Sequence, residues 1–480
     1  MWNQIDTVGL AEMRELSFMA EQWEPLAACP GWIRGCFIPM AAYSCEHLWK
    51  KYKNLSIQKK AINKLGMALL ERLCFLGKGV ATNLLFDRER ENRERFSADP
   101  REDIWIYMIK QGYGVLIKSY KEIAIILEES IQVFLKSNRF FLDALNRDWE
   151  ELKELYKVPL TVTDIFQNMK ELHKVDKNVH IVTFNEKYKI VFKQEKEGCH
   201  RFWQKLCANM NAFHIAELYC PWKKEKKGYE WQEYIDTLPA SFKKPEEAFV
   251  HAGELLCLFY ILNSTDMHKE NILWRENIPV VIDFESICNG EETGAQESTV
   301  EKTFFLPGCH KHPYIKKDFS ALGGKDGGNY VAYIQEGFAR VYNTIKSNKR
   351  VQDFFEAYEN VWFRYILHST WLYANILERG IARMVENGME YNCCFEAYKN
   401  LFPYEKKSLS LGYLPVLLQK YDSRDLYDES GQMIIKDFFK YSPKEAIQNR
   451  LRNMSDENLK EQLEIIKDCF LGEERNNLQP

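Results

Sequence analysis

The sequence predicts an α+β fold, with small mixed sheets in the middle of the chain and extensive helical regions at both ends. Three observations carry this. Apolar residues recur at helical spacing over Ile57 to Leu76 and Tyr113 to Tyr156, the period drops to two after Pro159, and helical spacing returns from Tyr330 to Phe470. Three segments follow: a helical N-terminal region 1–155, a sheet-containing core 156–300, and a helical C-terminal region 301–480.

Between the two N-terminal helical stretches, Asp87 to Arg101 is dense in charges of both signs and ends in Ser97-Ala98-Asp99-Pro100, which predicts an exposed loop. His180 to Phe184 and Tyr188 to Lys193 read as two strands joined by a turn at Asn185-Glu186. A helix follows over Arg201 to Phe213. Two short apolar runs come next, within 215–235, interrupted by a solvated basic loop, Lys223 to Lys227. Glu246 to Asn263 is again helical. Thr265 to Asn271, Ile272 to Trp274, Arg275 to Asn277 and Ile278 to Glu285 then give loop, strand, turn, strand. The segment 288–329, which contains Gly323-Gly324-Lys325-Asp326-Gly327-Gly328, reads as an irregular loop. The C-terminal helical pattern is broken at Pro403, Pro415 and Pro443.

Composition narrows the function. The 480 residues hold 65 Lys+Arg against 69 Asp+Glu, so no global field favours nucleic acid. With 46% hydrophobic and 28% charged residues, a disordered chain is excluded. No run approaches the roughly 18 apolar residues of a membrane span. The opening residues, Met1-Trp2-Asn3-Gln4-Ile5-Asp6, lack the basic and apolar regions of a secretory signal. Thirteen cysteines without a Cys-x-x-Cys fit free thiols in a reducing cytoplasm better than disulfides or a zinc site. A cytoplasmic protein is expected.

The chemistry concentrates in Asp266-x-His268-x-x-Asn271, followed twelve residues later by Asp283. Phosphoryl transfer needs a carboxylate to orient or deprotonate the acceptor hydroxyl, and an amide and a second carboxylate to hold magnesium. Protein kinases place the first carboxylate and the amide five residues apart on one loop, with the metal-binding Asp after a strand hairpin. Asp266, Asn271 and Asp283 have this order and spacing. Lys193 ends a strand on the face it shares with Val191 and Lys189, where a lysine could neutralise nucleotide phosphates. No Gly-x-x-x-x-Gly-Lys-Ser/Thr occurs, which argues against a P-loop site. An Asp-x-His-x-x-Asn string alone also fits a capped turn, and a single His is more often structural than catalytic.

The stretch Ile261 to Asn271, with Pro279-Val280-Val281-Ile282-Asp283-Phe284-Glu285, resembles the dehydratase domain of class II lanthipeptide synthetases (LanM type), where it reads like "tDxHxEN" followed by "PvlvDlE". Tyr229-x-Trp231-x-Glu233-Tyr234 is similar to the family's "YGWxEF" segment, and the likeness continues through Gly337-Phe338 to a helix over Val361 to Tyr373, covering most of 110–470. The resemblance implies a lipid-kinase-like core that phosphorylates Ser and Thr of a leader-bearing precursor peptide with ATP and Mg2+. Elimination of phosphate would then leave dehydroalanine or dehydrobutyrine. It implies Asp266 as catalytic carboxylate with His268 beside it. Asn271 and Asp283 would be magnesium ligands supported by Glu285, and Lys193 would contact nucleotide phosphates. Glu171 and His173 would stand in the family's "DxHxxG" element, read here as Glu171-x-His173-x-x-Asp176.

For elimination, the family uses an Arg and a Thr six residues apart on one helix, and Arg364 and Thr370 match that spacing. Three departures stand out: Glu171 where the family has Asp, His368 in place of a second Arg, and Gly412-Tyr413-Leu414-Pro415 in place of "GDIP". No stretch resembles the zinc-dependent cyclase of the family, so the expected partners are a precursor peptide and either a separate cyclase or none. A peptide kinase without elimination and a degenerate peptide-binding module are the alternatives.

Overall fold

Ile123, Leu127, Ile131, Phe134, Phe141 and Leu145 recur on one side of the chain and form the buried face of a helix, Lys121–Arg147, in the computed structural model. The structure describes residues 5, 10–26, 29–91, 108, 113–167, 179–194, 198–236, 242–292, 299–307, 320–322, 327–355, 360–387, 390, 392–396 and 398–477. They fall into two units, each with its own apolar core. One consists of 1–195, 223–234 and 368–415, the other of 196–222, 235–367 and 416–480.

The first unit packs helices Leu10–Gln22, Gly31–Tyr52, Lys59–Glu91 and Lys121–Arg147 with a five-stranded antiparallel sheet. The expected loop over Asp87 to Arg101 begins later than the charges suggest, because the helix runs on through Glu91. Arg and Glu are good helix formers. Residues 92–101 lie outside the described residues. The helical run Tyr113 to Tyr156 is three helices, Tyr113–Ser119, Lys121–Arg147 and Trp149–Tyr156. Asp148 makes the second joint, and its carboxylate accepts from Tyr229 Oη (2.7 Å) and Trp231 Nε1 (2.8 Å).

The sheet contains β1 (Val162–Gln167), β2 (Val179–Phe184), β3 (Tyr188–Lys193), β4 (Lys223–Lys226) and β5 (Tyr229–Glu233), in the order β1-β2-β3-β5-β4. Asn185 (φ 51°) and Glu186 (φ 60°) make the β2–β3 turn in the left-handed region. Asn185 tolerates this and anchors itself by accepting from Thr161 N (2.9 Å) and donating to Pro159 O (2.8 Å). The basic run Lys223 to Lys227 is not a free loop: its first four residues are edge strand β4. Acidic partners allow it, since Lys223 pairs with buried Glu230, and Lys224 and Lys226 pair with Glu151.

In the second unit, helices Cys199–Ala212, Pro245–Leu262, Val331–Ser347 and Asp456–Asn477 surround several small sheets. β6 (Ile272–Arg275) and β7 (Ile278–Val281) form a hairpin. β8 (Glu291–Glu292) pairs with β13 (Phe439–Tyr441). β9 (Trp362–Tyr365), β10 (Leu417–Lys420), β11 (Leu426–Asp428) and β12 (Met433–Ile435) form a sheet in the order β12-β11-β10-β9.

These strands correct the helical expectation for 301–480. Val361, Phe363 and Tyr365 are buried while Trp362 and Arg364 are half-buried, a period of two that the surrounding aromatic residues hide in sequence. Three-residue strands such as β11 to β13 are too short to show any period. Pro403 and Pro443 open helices, Pro403–Ser410 and Pro443–Arg452, as proline at the first helical position does. Within 288–329 the described residues include β8 and a 3-10 turn at Val300–Thr303, and Gly323 to Asp326 lie outside them. Among the described residues no helix is long and apolar enough to cross a membrane.

Candidate active site

The helix Pro245–Leu262 is apolar and buried over nearly its whole length, so the chain must leave it through polar residues that find partners. Asn263 ends it in the left-handed region (φ 55°) and donates to Asn289 O (2.9 Å). Ser264 Oγ donates to Ile287 O (2.5 Å). Thr265 N donates to Ser286 O (3.2 Å), and Ser286 Oγ returns a bond to Thr265 O (3.0 Å). These bonds zip 263–265 to 286–290, immediately before Asp266 and immediately after Glu285.

A second rung closes the other end, where Ile282 N donates to Asn271 O (3.0 Å) beside the β6–β7 hairpin. Asp266 therefore adjoins one rung and Asp283 the other. Asp266 takes a left-handed backbone (φ 64°), a conformation that costs about 1 kcal/mol for most residues and least for Asn and Asp. Asn271 Nδ2 stabilises it by donating to Asp266 O (2.8 Å), with a longer contact to Asp266 Oδ2 (3.4 Å). The five-residue spacing thus makes a closed loop whose carboxylate is about one-third exposed.

His268 Nδ1 accepts from Glu270 N (3.2 Å), so Nε2 carries the proton facing Asp266 Oδ1 at 3.4 Å. Burial alone would lower the His268 pKa. The hydrogen bond that His268 donates to Asp266 and the charges of Asp266, Glu270 and Asp283 outweigh it and raise the value above normal. The Nε2–H held against Asp266 orients that carboxylate.

Asn271 spends its NH2 on Asp266, which leaves its carbonyl oxygen facing elsewhere. Asp283 Oδ1 accepts from Glu285 N (3.1 Å). An amide oxygen and a carboxylate are hard donors that match Mg2+, which keeps waters and takes phosphate oxygens in its remaining positions. Among the described residues no three His, Cys, Asp or Glu side chains gather into a metal cluster by themselves. Glu285 is engaged by Arg364: Arg364 N donates to its carbonyl (2.6 Å) and Arg364 Nη1 to its carboxylate (2.5 Å), with both side chains largely buried.

The other expected site residues belong to different elements. Lys193 closes β3 in the first unit, opposite Val179 and Glu230, and is 9% exposed. Glu171 and His173 lie outside the described residues. Arg364 and Thr370 do not share a helix. Arg364 is on β9 in the second unit, whereas Thr370 opens the helix Thr370–Asn387 in the first. His368 Nε2 stands 4.0 Å from Glu405 Oε1, and Glu405 is fully buried and accepts from Tyr373 Oη.

Sequence reasoning missed the polar frame of Asn263, Ser264, Thr265, Ser286 and Asn289. A signal exists for part of it: three consecutive polar residues directly after an apolar helix must be bonded if they are buried.

A family described as a domain of unknown function (DUF4135) matches residues 120–329, the span that includes Lys193, Asp266, His268, Asn271, Asp283 and Glu285. Among curated proteins the chain is similar to the "Lacticin 481/lactococcin biosynthesis protein LcnDR2" of Lactococcus lactis subsp. lactis. It is 26% identical to that protein over 229 residues, which make up 44% of this chain and 24% of the relative. The alignment spans about a quarter of that relative's length. Through this match the chain is related to a protein of lanthipeptide biosynthesis.

Proposed function

We propose that the chain is a lanthipeptide-type dehydratase with a lipid-kinase-like core, acting on Ser and Thr of a precursor peptide. The observation that carries this is the two-rung frame holding Asp266, Asn271 and Asp283 in kinase order, supported by the likeness to a lacticin 481 biosynthesis protein. Asp266, with His268 against it, accepts the hydroxyl proton of the peptide Ser or Thr as the hydroxyl oxygen attacks the γ-phosphorus of ATP and ADP departs. Asn271 and Asp283 would hold Mg2+, which would supply positive charge against the phosphates. Lys193 neutralises nucleotide phosphate, while Glu171 and His173 belong to the nucleotide side and Glu285 supports the metal side. In the second step a base removes the α-proton, the Cβ–O bond breaks, and inorganic phosphate leaves an alkene in the peptide. Arg364 stabilises the departing phosphate, for which its planar fork is suited, and Thr370 assists.

A peptide kinase that stops at the phosphorylated product is the second reading. It is favoured by the engagement of Arg364 with Glu285 and by the separation of Arg364 and Thr370 onto a strand and a helix. Mass spectrometry of a precursor peptide incubated with the full chain, ATP and Mg2+ decides. Loss of water supports the dehydratase, a stable phosphate gain supports the kinase, and an unchanged peptide refutes both.

A further inference from the structure

We propose that Asn289 is a positioning residue that sets the separation of Asp266 and Asp283 from behind the site, with Gln419 fixing the direction of its amide. The inference rests on the phosphoryl-transfer reading of these two carboxylates.

Asn289 is 4% exposed and Gln419 is fully buried. The Asn289 NH2 group faces three acceptors: Ser286 O (2.9 Å), Asn263 O (3.2 Å) and Thr265 Oγ1 (3.2 Å). Ser286 belongs to the segment that follows Asp283 and Glu285, and Thr265 is the neighbour of Asp266. One side chain therefore grips both loops. The direct backbone rung between them, from Thr265 N to Ser286 O, is 3.2 Å, and the Asn289 side chain adds a second link between the two loops at the same end of the frame.

A primary amide can be turned end for end at little local cost, and Gln419 prevents this. Its Nε2 donates to Asn289 Oδ1 (2.7 Å) and Cys288 O (3.1 Å), while its Oε1 accepts from Gly290 N (2.9 Å). With Oδ1 occupied by a donor, the Asn289 NH2 group must point at Thr265 and Ser286. Gln419 stands on β10, whose neighbour β9 sends Arg364 N to Glu285 O. The carboxylates are thereby referenced to the four-stranded sheet and not to the helix alone.

The test uses the full chain and Mn2+ with a non-hydrolysable ATP analogue, reading free Mn2+ by electron paramagnetic resonance and folding by thermal unfolding. Asn289→Asp keeps the size and loses the donor, and Gln419→Glu forces the amide to turn. Each should weaken Mn2+ binding by about tenfold or more, as loss of a supporting bond behind a metal ligand does, in chains that still unfold cooperatively. A milder pair guards against misfolding: Thr265→Val should weaken binding about threefold, and Thr265→Ser, which keeps the hydroxyl, should restore it. Folded variants with wild-type Mn2+ affinity would overturn the positioning role and leave phosphoryl transfer standing. Wild type that binds no Mn2+–nucleotide would overturn the metal reading and this inference together.

Discussion

Gly253 and Gly337 meet where their helices cross, each against the backbone of the other's helix. A Cβ at Gly253 would lie 2.0 Å from Ile334 O, and a Cβ at Gly337 would lie 2.0 Å from Val250 O. Neither helix can accept a methyl group without moving away, and one of them, Pro245–Leu262, delivers the chain into the Asp266 loop. Gly253→Ala or Gly337→Ala should cost about 2–3 kcal/mol, in the upper range of overpacking. Gly114→Ala, where nothing lies within 4 Å, should be neutral or slightly stabilising. Urea unfolding of the three variants checks this.

Asn271→Ala and Asp283→Ala should abolish phosphoryl transfer while the fold persists, because both side chains are partly exposed on a loop and just past a strand end. Transfer of labelled γ-phosphate to peptide, together with circular dichroism, measures the two halves of the claim. Wild-type turnover in either folded variant would remove the metal assignment.

Thr370→Ala should separate the two chemical steps. If Thr370 assists elimination, phosphorylated peptide accumulates and its mass rises where wild type loses water. A variant that still loses water at the wild-type rate would return Thr370 to an ordinary helix-opening residue.

His180 supplies a pH prediction for the first unit. It is fully buried, stacked on Phe141 at 4.1 Å with its Nε2 3.0 Å from Asn138 Oδ1, and burial lowers its pKa from 6.5 to about 3. The unfolded chain therefore binds a proton that the folded chain refuses, so stability is lost as pH falls below 6.5. At pH 5 the loss should be about 2 kcal/mol, from 1.36 kcal/mol per pH unit. Comparing thermal unfolding of wild type and His180→Phe at pH 7 and pH 5 tests it. The variant should lose less on acidification.

The parts of the site that sequence revealed are those whose partners are close in the chain. Asp266 and Asn271 close one loop, and the hairpin that brings Asp283 back ends only two residues before it. The β2–β3 hairpin was legible for the same reason, because alternation and the Asn185 turn are both local signals. The rest depends on distant residues. Gln419 reaches Asn289 across 130 positions, and Arg364 finds Glu285 across 79. No spacing rule announces such bonds. β9 was misread as helix because Trp362-Phe363-Arg364-Tyr365 satisfies either period over so short a run, and the pairing with β10 that decides between them lies about fifty residues downstream.

The division of the chain also governs how it can be made and cut. The backbone passes from one unit to the other at 195/196, 222/223, 234/235, 367/368 and 415/416. A growing chain emerging N-terminus first exposes β3 as an open sheet edge until β5 has been synthesised, with the helix Cys199–Ala212 of the other unit in between. Early exposed edges of this kind invite wrong pairings. No single proteolytic cut or stop codon can release either unit whole, since each is assembled from three separated stretches. Chains ending at 300 or 367 would lack the helix Thr370–Asn387 from the first unit and strands β10 to β13 from the second. Halves of this protein should be recovered as functional pieces only by co-expression.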